Sequence, residues 1–105
     1  MNLTERQTQD LGARIVAAAH PARIIFFGSA ARSHGGAKSD IDVLVVARED
    51  AHRRKTAQAI YRHLLGSGLP VDVVVARPSD LEKHGQSAGL VYREALRDGR
   101  DLYVS

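Results

Sequence analysis

Asp40 and Asp42 stand two residues apart at the head of an apolar run, Val43-Leu44-Val45-Val46. Alternate residues of an extended strand point to one face, so both carboxylates can meet a hard divalent cation there. Ten residues separate them from Gly28-Ser29, which closes another apolar run, Ile24-Ile25-Phe26-Phe27. Glycine lets a backbone approach an anion closely. A serine hydroxyl at a helix start adds a donor where unpaired N–H groups already favour negative charge. A phosphate cradle beside a cation site is the equipment of nucleotide chemistry.

Taken alone, the acidic pair has a plain alternative, with Asp40 capping a turn and Asp42 pairing with an arginine. Asp72 shifts the balance. It is the one charge in Val71-Asp72-Val73-Val74-Val75, where an ionised group is expensive unless paired or metal-bound. A salt bridge would explain it by itself, but with Asp40 and Asp42 on an adjacent strand a three-carboxylate site is the better reading. Three acids can hold two magnesium ions, one on a nucleotide's phosphates and one lowering the pKa of an attacking hydroxyl. Asp72 is then the natural general base. Arg32 and Lys38 lie between the motifs and could neutralise phosphate charge, although solvent exposure explains each equally well.

The elements that must position these residues can be read coarsely. Thr4 and Gln7 form a capping box for a helix whose face is Leu11, Ile15, Ala18 and Ala19, ended by His20-Pro21. Arg23 to Phe27 is a strand buried on both faces. A short helix over 29–33 and a glycine-bearing loop over 33–39 lead to a second strand, Asp40 to Val46. Asp50 is expected to cap a helix with the face Ala57, Ile60, Tyr61, Leu64 and Leu65, which places Tyr61 in the core. Gly66-Ser67-Gly68 and Pro70 stop it. Val71 to Ala76 is the third strand, and Ser79 with Glu82 suggests another capping box. A last helix passes through Leu90, Val91 and Ala95 to Gly99, and Leu102-Tyr103-Val104 is a short strand or extended tail. The expectation is an α/β domain spanning 1–105, a small mixed sheet packed with helices in the order α-β-α-β-α-β-α.

Composition narrows the classes. The chain has 105 residues, 44% hydrophobic and 26% charged, which suits one folded domain. It contains no cysteine, which excludes disulfides and thiolate metal sites and fits a reducing cytoplasm. No run approaches the roughly 20 apolar residues of a membrane span, and the N-terminus does not read as a secretory signal. The formal charge is +3, but the one compact basic cluster is Arg53-Arg54-Lys55 and aromatics are only 5%. That argues against direct nucleic-acid binding and for a solvated helix face. None of the histidines at 20, 34, 52, 63 and 84 has zinc-type spacing; His34 alone lies in the loop between the motifs.

Gly28-Ser29, ten residues, Asp40-x-Asp42 and a later strand aspartate, Asp72, together resemble the active-site pattern of the DNA polymerase β superfamily of nucleotidyltransferases. The wording Gly-Ser-Ala-Ala-Arg-Ser is similar to its minimal branch, the MNT proteins, among them the antitoxins of HEPN/MNT toxin–antitoxin pairs. The resemblance implies the nucleotidyltransferase fold and transfer of AMP from ATP to a hydroxyl, with pyrophosphate released. It implies that Gly28 and Ser29, with Arg32 nearby, hold the nucleotide. Asp40 and Asp42 would bind both magnesium ions, and Asp72 would complete the one that activates the acceptor. In the toxin–antitoxin branch the acceptor is a tyrosine of the HEPN partner, an RNase, in a complex with the antitoxin. Family members usually read Ala-Arg-Gly where this chain has Ala31-Arg32-Ser33, with its glycines at Gly35 and Gly36. Two rivals stand beside this reading. One is a binding module that neutralises its partner by contact alone; the weaker one is transfer to a small molecule or nucleic acid.

Overall fold

The computed structural model describes residues 3–27, 41–84, 95–97 and 99–105. Helix α1 (Glu5–Ala19) starts on the capping box that the sequence predicts. Gln7 N–H donates to Thr4 Oγ1 at 3.1 Å and Thr4 N–H to Gln7 Oε1 at 2.9 Å. The helix ends on His20, held in the left-handed region at φ 45 with its N–H on the Val16 carbonyl, and Pro21 follows. Strands β1 (Arg23–Phe27) and β2 (Ile41–Val46) pair antiparallel. Helix α2 (Arg53–Leu64) then crosses over to β3 (Val71–Ala76), which lies parallel to β2. Helix α3 (Pro78–His84) follows, residues 95–97 are helical, and β4 (Arg100–Val104) returns antiparallel to β1. The sheet order is β3-β2-β1-β4, a small mixed sheet as expected. The expected short helix over 29–33 and most of the last helix lie outside the described residues.

Each face of the sheet has its own core. Leu11 and Ile15 of α1 and Ile60 and Leu64 of α2 pack on Ile24, Phe26, Ile41, Val43, Val45 and Val75. On the other face Ile25, Phe27, Leu44, Val46 and Ala76 meet Ala95, with Val74 and Leu81 at the margin. The alternation along β1 and β2 divides their side chains between the two clusters, so both strands are buried on both sides. Only Gly fits readily at Gly66 (φ 84) and Gly68 (φ 75), which turn the chain from α2 toward β3.

Four expectations are corrected. The N-cap of α2 is His52, whose Nδ1 accepts the Lys55 N–H at 3.3 Å; Asp50 sits in the preceding turn. Helix α3 begins before Ser79, so the Ser79–Glu82 box does not form. Pro78 occupies the first turn, where a missing N–H costs nothing, and Asp80 Oδ2 accepts the Arg77 N–H at 2.9 Å. Tyr61 is not core: it is 42% exposed, and Leu65 is 75% exposed. Finally, β3 is an edge strand among the described residues, and Asp72 on it is exposed rather than buried.

Candidate active site

Three strand ends meet at one rim of the sheet. Phe27, the last residue of β1 and the one before Gly28, pairs with Asp42 on β2. Asp42 in turn stands in register with Asp72 on β3. In-register residues of a parallel pair point the same way, and neighbouring strands lie about 4.8 Å apart. Asp42 and Asp72 therefore project side by side, on the face that continues inward through Leu44 and Val74. Asp42 is half-buried and Asp72 exposed.

The backbone fixes this pairing from just outside. Ile41 N–H donates to the Pro70 carbonyl at 2.9 Å, joining the entrances of β2 and β3 just ahead of the Asp42–Asp72 pair. On the open side of β3, Val73 N–H donates to Tyr61 Oη at 2.9 Å. Neither contact is announced by the sequence. The first depends on strand order and the second on how α2 docks beside β3, and Tyr61 reads in the sequence as one more apolar position on a helix face.

Of the residues expected to do chemistry, Asp42 and Asp72 are brought together. Gly28, Ser29, Arg32 and Asp40 lie outside the described residues, as do Lys38 and His34. Among the described residues no three His, Cys, Asp or Glu side chains form a cluster that could hold a metal ion. The pair that is described fits a hard cation in kind. Two carboxylates side by side at a rim supply oxygen donors, and a divalent ion offsets their mutual repulsion.

The far ends of β2 and β3 have a different character. An open cleft of about 540 Å³ there is lined by Asp50, Ala51, His52, Arg53, Arg54 and Arg77. Asp80 lies against two of its arginines, 3.3 Å from Arg53 Nη1 and 3.5 Å from Arg77 Nε. The Arg77 backbone N–H, and then the charges of Arg53 and Arg77, hold the Asp80 carboxyl below its ordinary range. Glu49 is likewise lowered, by its hydrogen bonds from Ser79. Arg53, Arg54 and Lys55 are all exposed on the first turn of α2, with Arg53 engaged by Asp80. This basic end is a full strand length from the acidic rim.

Sequence and structure comparisons bear on the whole arrangement. Residues 12–100 match the family model described as a nucleotidyltransferase domain. A solved structure from Sulfolobus solfataricus, described as a candidate nucleotidyltransferase, superposes with a TM-score of 0.56. It shares 20% identity, over 74% of this chain and 70% of that one, which is a likeness of fold. No curated protein matches the chain in sequence. A matched span that takes in β1, β2 and β3 with both rim aspartates places this chain in the nucleotidyltransferase domain family.

Proposed function

We propose that this protein transfers AMP from ATP to a hydroxyl, that of a tyrosine on a HEPN-domain partner, and so acts as an antitoxin. The observation that carries the chemistry is the register of Asp42 with Asp72 at the rim reached by the end of β1. Asp40, Asp42 and Asp72 are the residues that would hold magnesium. Held there, magnesium would supply charge neutralisation at the phosphates and a lower pKa for the acceptor hydroxyl.

The remaining work falls to the chain's own groups. Gly28 and Ser29 follow β1 directly and would present backbone and hydroxyl donors to the phosphates, with Arg32 adding positive charge. The acceptor oxygen attacks the α-phosphorus, the bond from that phosphorus to the bridging oxygen breaks, and pyrophosphate leaves. Asp72 is the group assigned to take the acceptor's proton; its exposure on the edge strand leaves it open to an incoming hydroxyl. The partner assignment rests on the Gly-Ser-Ala-Ala-Arg-Ser wording of the first motif.

The test uses ATP labelled at either the α or the γ phosphate, with magnesium and a HEPN-domain protein offered as the partner. Label from the α position should appear on the partner and label from the γ position should not. Transfer of γ label would identify a kinase-type reaction. No transfer, together with a stable complex and a silenced partner, would leave binding alone as the antitoxin's means.

A further inference from the structure

We infer that Tyr61 is a positioning residue for the acidic rim, acting on Asp72 through the backbone of β3. The inference rests on the reading of Asp72 as a metal-binding acid. Along its inner side β3 is held by β2, register pair by register pair from Val71 to Ala76. Its outer side is the edge of the sheet among the described residues. On that side Val73 N–H spends its bond on Tyr61 Oη at 2.9 Å, one residue from Asp72.

The mount for this hydroxyl is rigid. Tyr61 follows Ile60, which is fully buried, and precedes Leu64, which is 8% exposed, so α2 is anchored in the core on either side of it. Tyr61 is 42% exposed, so burial alone gives little reason for a tyrosine in place of a phenylalanine here. What a tyrosine supplies, and a phenylalanine would not, is an acceptor for an edge N–H. Edge segments open at low free energy, and a cation site tolerates only small displacements of its ligands. A bond that holds the outer side of β3 beside Asp72 keeps that carboxylate in register with Asp42. It also occupies a backbone donor that a free edge would offer to another strand.

The test is Tyr61→Phe, which keeps the ring and removes the acceptor, read by two measurements besides activity. One is amide exchange at Val73, with Val43 on β2 as internal reference for intact folding. The other is the manganese concentration that half-broadens NMR signals next to Asp42 and Asp72. Val73 exchange is expected to rise about five-fold, the loss of one ordinary hydrogen bond, with Val43 unchanged. The half-broadening concentration should rise by about the same factor. Leu65→Ala, a change at an exposed neighbour on the end of α2, should move neither.

Unchanged Val73 exchange overturns the inference, because the bond then holds nothing. Faster Val73 exchange with unaltered manganese binding also overturns it, since the bond would serve the fold and not the rim. Asp72→Asn separates the two levels of the argument. If it weakens manganese binding while Tyr61→Phe does not, the inference fails alone. If Asp72→Asn binds manganese like the wild type, the reading of Asp72 as a ligand fails and takes the inference with it.

Discussion

Asp42 and Asp72 share one face of the sheet where β1 ends and β2 and β3 begin, and the proposed chemistry depends on that adjacency. The two acids differ in surroundings: Asp42 is half-buried on an inner strand and Asp72 exposed on the edge. Asp72→Asn is therefore expected to change stability by no more than about 0.5 kcal/mol, as for an exposed surface position. Its effect should fall on turnover, lowering kcat by roughly 10²–10⁴-fold, the usual worth of a general base. Steady-state kinetics beside a denaturant titration would separate the two. A loss of several kcal/mol in stability would instead mark Asp72 as structural. The sequence singles out Asp72 by the cost of a charge in a buried strand, and the edge position removes that cost. What distinguishes the residue is its place opposite Asp42, a non-local fact that one strand's pattern does not contain.

Among the elements, β1 and β3 fall on the residues expected because their β-branched and aromatic runs end at strong breakers, Pro21 and Gly28 or Pro70 and Pro78. The start of α1 was legible from its capping box, and those of α2 and α3 were less so. Asp50, His52, Ser79 and Asp80 can all accept a backbone hydrogen bond, and the choice among them is made by how the helices dock. Glu49 reaching Ser79 N–H and Asp80 reaching Arg77 N–H are parts of that docking. Two glycines test the packing directly. A Cβ on Gly12, in the interior of α1, would meet Leu102 Cγ at 3.7 Å, an ordinary contact. Gly12→Ala should thus stabilise by about 1 kcal/mol through helix propensity, visible as a Tm several degrees higher. At Gly99 a Cβ would collide with the Ala95 carbonyl oxygen and Ile25 Cγ2. Gly99→Ala should cost about 1–3 kcal/mol, as overpacking does, and a neutral result would contradict this close approach of the chain to β1.

At the scale of the molecule, a mixed four-stranded sheet carries a core on both faces, an acidic rim at one end and a basic cleft at the other. The basic end contributes to the response to acid. Asp80 and Glu49 both titrate below their ordinary range in the folded state, through their backbone and side-chain hydrogen bonds and nearby arginines. A depressed folded pKa adds stability above the unfolded value, and that contribution fades as pH falls from about 4 through the folded values. Unfolding titrations from pH 6 to pH 3 should show this decline, and Asp80→Asn should flatten it; an unchanged slope would mean that Asp80 is not linked to folding. The pattern of motifs makes the nucleotidyltransferase family legible from the sequence, since spacing along the chain survives in a single sequence. The strand order, the Asp42–Asp72 register and the Tyr61 bond were not legible, because each depends on which segments the folded chain brings together. The most direct test of the account is transfer of α-phosphate label from ATP by the wild type and by Asp42→Asn, each confirmed folded. The substitution is expected to lower transfer at least about 100-fold at saturating magnesium. Transfer at the wild-type rate by Asp42→Asn would contradict it.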